Sequence, residues 1–247
     1  MNSADFLLLL GIVAFASYAQ AVTGFAFGLI LMGSAILLNL APVATVAILI
    51  SLLSLCNCAV ALYRNCGNLD RQLILPSLLA STVCLLLGYW ILSALSARGA
   101  YWLQVLLGLA IVLSSLLLIF RPHPKPQRSG TLSFLFFGGL AGLMSGLFST
   151  SGPPLVYQFY RQPVAQKAIR DSLLLIFALT SIQRLAVVTV AGELTGELLL
   201  LATSALPAVL VLTWVGRQWP PRVSDHTLRR TAFSLLLVAG VSLMLTA

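Results

Sequence analysis

Polar residues cut this chain into eight apolar runs: Asp5 to Leu38, Pro42 to Tyr63, Leu73 to Leu95, Tyr101 to Phe120, Thr131 to Tyr160, Asp171 to Ala191, Leu198 to Val215 and Thr231 to Thr246. Most are near the length at which a helix crosses about 30 Å of hydrocarbon. None alternates over ten-residue segments as barrel strands do. The pattern predicts an all-α integral membrane protein. The first and fifth runs are too long for one ordinary span, and each is interrupted near its middle in the same way. Ser17 is followed six residues later by Thr23-Gly24-Phe25-Ala26-Phe27-Gly28, and Ser145, 128 residues further on, by Ser151-Gly152-Pro153-Pro154. Hydrocarbon tolerates broken backbone only where protein or a water-filled cavity covers it. Interrupted segments at corresponding places in two halves are a pointer to a transport site.

Composition agrees: 60% of the 247 residues are hydrophobic and 8% charged, with a mean hydropathy of +1.02. That leaves too little polar surface to coat a soluble globule. The net charge of +8 does not indicate nucleic acid, because the basic residues lie in short loops between apolar runs, where they act as topology signals.

Their distribution decides how the long runs are threaded. If every run crossed once, the two sides would share the basic residues almost evenly. If the first and fifth runs return to the side they came from, Arg64, Arg71, Arg121, Lys125, Arg128, Arg161, Lys167, Arg170, Arg217, Arg222, Arg229 and Arg230 share one side, and Arg98 lies opposite with Glu193 and Glu197. The second arrangement predicts a broken-helix hairpin or re-entrant segment in each half, basic loops in the cytoplasm and both termini in the periplasm. Each half then holds three simple spans, and an odd number inverts one half relative to the other. The expected organisation is a first repeat over 1–120, a cytoplasmic linker over 121–130 and a second repeat over 131–247. Gly67-Asn68-Leu69 is matched in order by Gly192-Glu193-Leu194, and Gly88 by Gly216.

Cys56, Cys58, Cys66 and Cys84 lie without a nearby histidine, and a Cys-x-Cys pair on a helix points to nearly opposite faces, so packing is expected and no metal or cofactor is implied. Ala19-Gln20-Ala21 could pass for a signal-peptide cleavage site, but the basic n-region is missing and Asp5 stands there instead.

Gln20-x-x-Thr23-Gly24-Phe25-x-Phe27-Gly28, Gly142-x-x-Ser145-Gly146 leading to Gly152-Pro153-Pro154, and the Gly67-Asn68 turn with following Asp70 resemble the sulfite exporter TauE/SafE family, also called the 4-toluene sulfonate uptake permeases. The resemblance spans nearly the whole chain. It implies movement of sulfite, sulfonates or related organosulfur anions across a bacterial inner membrane. The chain departs from the family's usual glycine triplet at the breaks, where Phe25-Ala26-Phe27 and Pro153-Pro154 stand.

A half-helix starting inside the membrane presents unpaired N–H groups and the positive end of its dipole, a natural partner for an anion. Thr23 and Ser151 are expected N-caps, Pro153 suits a first helical position, and Gly24 and Gly152 allow close approach. With two inverted breaks meeting near the midplane, Thr23, Gly24, Ser151 and Gly152 are the leading substrate contacts. Gln20, Ser149, Thr150, Ser17 and Ser145 are further donors; the plain alternative is that small residues let helices cross closely. Arg184 is the one charge deep in a run, and a bound anion would be its counter-charge. Its other readings are snorkelling outward and hydrogen bonding to backbone carbonyls freed by a hairpin. Asn57 is the polar residue of the equivalent run.

The expected function is export of small organic or inorganic anions, most readily the sulfite and sulfonate type, by facilitated or alternating-access transport. Membrane-embedded carboxylates and histidines of a proton-coupled pump are missing from the runs, and an interior-negative potential drives anions outward unaided. Ion-coupled uptake and a non-transporting scaffold are the alternatives. An enzyme is not expected: Ser149-Thr150-Ser151-Gly152 has a faint likeness to a rhomboid protease loop, but no membrane histidine is there to activate a serine. The expected partners are a small anionic substrate and the lipid bilayer, not nucleic acid; a homodimer is compatible with the pattern.

Overall fold

Backbone N–H and C=O groups in hydrocarbon must pair within their own segment, so each apolar run folds as helix. A computed structural model describes residues 3–63, 69–96, 100–119, 125–219, 234, 237–238 and 240–245. Its helices are α1 (Ser3–Thr23), α2 (Phe27–Leu37), α3 (Val43–Leu62), α4 (Arg71–Ser96), α5 (Ala100–Ile119), α6 (Thr131–Phe148), α7 (Gly152–Tyr160), α8 (Gln166–Val190) and α9 (Gly196–Gln218). Residues 240–245, inside the eighth run, are again helical. Among the described residues there is no strand, and six helices are long and apolar enough to cross a membrane.

The first and fifth runs are each two helices, α1/α2 and α6/α7, broken at 24–26 and 149–151. The second pair returns to the end it starts from. Before α6 and after α7 the chain is stitched together: Ser129 N–H donates to Gln162 Oε1 at 2.9 Å, Gln162 Nε2 donates to Ser129 Oγ at 3.1 Å, and Lys125 N–H donates to Arg161 O at 2.8 Å.

Charges segregate. Arg128 pairs with Asp70 at 2.6 Å and also donates to Gln72, the Asp70 N–H donates to Ser172 Oγ at 3.3 Å, and Arg170, Asp171 and Arg217 lie within electrostatic range of one another. The ends of α3, α7 and α9 and the starts of α4, α6 and α8 thus gather at one basic end. At the far end of α4, Tyr89 Oη donates to Glu193 Oε1 at 2.8 Å. Arg64, Arg98, Arg121, Arg222, Arg229, Arg230, Cys66, both histidines and the Gly67-Asn68 turn lie outside the described residues.

Lipid-facing surface is apolar, with Leu79, Val83, Leu86 and Trp90 of α4 exposed and Trp102, Trp214 and Trp219 near helix ends, where indole rings sit well at a membrane interface. Apolar helices gain no hydrophobic free energy by associating in lipid, so close backbone packing has to hold them. Glycines supply it. On α6, a Cβ at Gly138 would lie 2.5 Å from Ser77 O, at Gly142 2.5 Å from Ser81 Cα, and at Gly146 2.7 Å from Gly88 Cα. The register climbs together on both helices, so α4 and α6 run parallel. α9 lies along α1, where a Cβ at Gly216 would sit 2.8 Å from Ala21 Cβ and 3.2 Å from Tyr18 O. α5 meets the C-terminal helix through Gly108 and Gly240.

Gly142→Val is therefore expected to push α4 from α6, an overpacking cost of about 1–3 kcal/mol, read as a fall of several degrees in the melting temperature of detergent-purified protein. Gly11→Ala, with open space around the new methyl, should leave melting unchanged or raise it slightly.

Candidate functional site

Both breaks are built by local backbone chemistry. α1 ends at Thr23, and Gly24 follows in the left-handed region at φ +90°, its N–H donating to Gln20 O at 2.7 Å. Glycine is the residue that closes a helix this way without a Cβ penalty. α6 ends at Phe148, and Ser149, at φ 57°, plays the same part with its N–H on Ser145 O at 2.9 Å.

The caps differ from expectation. Thr23 is the last residue of α1 and caps nothing: its hydroxyl donates to Ala19 O at 2.7 Å, the carbonyl one turn back that a helical threonine reaches most easily. Ala26 stands at the start of α2. Ser151 does precede α7, but its side chain makes no cap bond and lies 3.5 Å from Thr180 Oγ1. Pro153 follows Gly152 in the helix instead of opening it.

The two breaks touch. A Cβ at Gly28 would lie 3.0 Å from Thr150 Cγ2 and 3.1 Å from Ser149 O, and one at Gly152 would lie 3.3 Å from Phe25 O. Around that junction is a small, partly open cavity. Gln20, Phe25, Gly28 and Leu29 line it from the first break, Ser145, Ser149, Thr150, Ser151 and Gly152 from the second, Ser54 from α3, and Phe177, Thr180 and Ser181 from α8. Its polar groups are hydroxyls, one carboxamide and backbone; among the described residues no charged side chain lines it. Ser149 Oγ is 2.7 Å from Ser51 Oγ, and Gln20 Nε2 is 3.4 Å from Cys58 Sγ.

Such a lining suits an anion that is held weakly. At α2 the first helical bond is Ile30 N–H to Ala26 O, 3.1 Å, so the N–H groups of Phe27, Gly28 and Leu29 precede the ladder at the positive end of the helix dipole. At α7, Pro153 and Pro154 carry no N–H, which leaves Gly152 and the hydroxyls of Thr150 and Ser151 as the donors, while Ser51, whose own proton goes to Ala47 O, accepts from Ser149.

Of the sequence-predicted residues, Gln20, Ser149, Thr150, Ser151 and Gly152 come together in the wall, with Ser145. Thr23 and Gly24 lie just behind Phe25, outside it. Ser17 bonds back to Val13 O at 2.7 Å within α1. Asn57 is fully buried on α3, away from the wall. Arg184 is also away from it, 1% exposed. Its Nη1 donates to Ser145 O at 2.9 Å, which also accepts the Ser149 N–H, and to Gly146 O, freed where α6 ends. Glu193 lies within its electrostatic range. The guanidinium serves backbone and has a protein carboxylate near it, so it does not stand in the cavity as a counter-charge waiting for an anion.

Sequence reasoning did not select Ser54, Phe177, Thr180 and Ser181 for the wall. Helical spacing could have found those of α8, since residues 177, 180 and 181 follow the three-and-four periodicity of one helix face.

A model of the family described as sulfite exporter TauE/SafE matches residues 9–243, nearly the whole chain. The chain belongs to the sulfite exporter TauE/SafE family. It is 41% identical over 231 residues to a protein of Cupriavidus necator named as a probable sulfite/organosulfonate exporter TauE, covering 94% of this chain and 90% of that one. No solved structure matches. TauE/SafE membership makes this a multi-pass membrane transporter and not an enzyme. In this TauE/SafE chain the likeness to the relative runs through both breaks and all the helices that build the cavity.

Filling the cavity from the break should stop transport without unfolding the protein. Gly28→Val, whose side chain would enter the space shared with Thr150, is expected to lower the flux rate in proteoliposomes by roughly tenfold or more, since each 1.4 kcal/mol on the barrier is a factor of ten. Melting should move by only a few degrees.

Proposed function

We propose that this chain exports sulfite or organosulfonate anions across a bacterial inner membrane, binding them in the neutral, hydroxyl-lined cavity where its two broken helices meet. That junction is the observation on which the reading rests. The name of the Cupriavidus necator relative supports the cargo class, and the chemistry is compatible: sulfonate and sulfite oxygens accept hydrogen bonds from hydroxyls, a carboxamide and helix N-terminal N–H groups.

Two inverted repeats, 1–120 and 131–247 joined by a linker, are the proposed architecture. The contacts at the matched glycines support it: Gly88 of α4 meets Gly146 of α6, while Gly216 of α9 meets Tyr18 of α1. Gly216 follows Gly88 by the same 128 residues that separate Gly146 from Tyr18. α5 and the C-terminal helix, the fourth members of each half, pack on each other through Gly108 and Gly240. The basic end is the cytoplasmic one by the positive-inside rule, which puts both termini in the periplasm.

Transport proceeds without a coupled ion. Among the described residues the wall contains no titratable side chain, and an interior-negative membrane drives an anion outward with about 2.3 kcal/mol per charge for each 100 mV.

Three measurements test this. In proteoliposomes, sulfite efflux should follow an imposed potential with no proton or sodium gradient; a strict need for either gradient would replace export with coupled uptake. Ser151→Ala, removing one donor to an anion, costs about 1.5–3 kcal/mol if the bond is made, so transport efficiency should drop roughly 10- to 100-fold, and an unchanged value would remove Ser151 from the site. Alkaline phosphatase fused after Ala247 should be active, because it would lie in the periplasm; an inactive, stable fusion would reverse the topology.

A further inference from the structure

The ends of both broken helices are held by one and the same helix. Arg170, in the second turn of α8, donates from Nη2 to Ala21 O in the last turn of α1, and its aliphatic stem covers Gly24, where a Cβ would lie 3.2 Å from Arg170 Cγ. Arg184 donates to Ser145 O and Gly146 O in the last turn of α6. The two arginines are fourteen residues apart, about 21 Å along the helix. Between them the same helix contributes Phe177, Thr180 and Ser181 to the cavity.

The last carbonyls of a helix lack intrahelical partners and carry the negative end of its dipole. Exposed to water they are solvated; beside a buried cavity they need a donor, and a cation suits them best. Guanidinium supplies several N–H groups in a fixed fork and stays charged. α3 occupies in the first half the place of α8 in the second, and it carries no arginine. Repeat symmetry would give each break its own support. Here α8 supports both.

We propose that Arg170 and Arg184 are positioning residues that tie the two breaks to α8, so that the breaks are set, and move, together. Arg184 fixes the end of α6 and with it Ser149, Thr150 and Ser151; Arg170 fixes the end of α1 and with it Phe25 and the start of α2. Neither touches cargo. The proposal rests on the reading of the cavity as the cargo site.

The test uses the full-length transporter in proteoliposomes and two cargoes of different charge, sulfite at mildly alkaline pH and methanesulfonate. Arg170→Lys and Arg184→Lys keep the charge but lose the fork, and their melting curves are checked against the parent; the corresponding Gln variants are added where they fold. Each Lys variant is expected to slow both anions by the same factor, roughly tenfold or more, leaving the preference between them unchanged. The double variant should be no worse than the poorer single one, since releasing either end uncouples the pair. A preference shifted in favour of the singly charged anion would mean that the arginine contacts cargo, and overturns the proposal. Losses that multiply in the double variant to within about twofold, as for independent sites more than 10 Å apart, overturn the coupling. Full transport in both Lys variants overturns it outright. Gln20→Ala, measured alongside, keeps the two readings apart: unchanged flux there denies the cavity its cargo, whereas lost flux there with intact Lys variants removes the clamp alone.

Discussion

A helix that stops inside a bilayer strands carbonyls at the end it finishes and N–H groups at the end it restarts. Water is not there to take them, and each unsatisfied group costs several kcal/mol. Most of this molecule is organised around two such interruptions. The stranded carbonyls go to α8, through Arg170 and Arg184. The left-handed residues Gly24 and Ser149 close the helices before the breaks. What is left over are donors, the hydroxyls of Thr150 and Ser151 and the N–H groups opening α2, and these face one cavity.

Separating acceptors from donors in this way shapes the chemistry of the site. An arginine placed in the cavity itself would bind an anion strongly, and a carrier that binds too strongly does not release. With the two arginines occupied by backbone, the field in the cavity comes from partial charges and hydroxyl dipoles. Pro153 and Pro154 lower it further at α7 by deleting two N–H groups. Close packing supplies the rest of the scaffold: the glycine ladder on α6 lets Ser77, Ser81 and Gly88 of α4 approach at backbone distance, which steadies α6 up to the turn where Arg184 receives it.

Much of the architecture was legible because hydrocarbon imposes its rules locally. A run's length sets whether it spans, a hydroxyl-glycine interruption sets where it breaks, and the placement of Lys and Arg sets which ends lie together. Those properties are read one segment at a time. The hairpin of the second half, argued from charge, has its ends joined by Ser129 and Gln162. The break residues were recognisable for the same reason, though Thr23 was read as opening a helix that it in fact closes. A hydroxyl-glycine pair marks a break without saying on which side of it the threonine falls.

By itself, then, the sequence determined an all-helical membrane transporter of the TauE/SafE family, two interrupted runs and a basic end, and it pointed to six of the cavity's lining residues. The tertiary structure decided what those residues face. Arg184 looks from the sequence like a lone charge in search of an anion, because a backbone carbonyl freed 38 residues away leaves no mark on local composition. Thr180, Ser181 and Ser54 became wall, and Asn57 did not, through the rotation of α3 and α8 against the breaks. Helix rotation and carbonyl orientation are settled by packing among distant segments, so they exist only once the chain has folded.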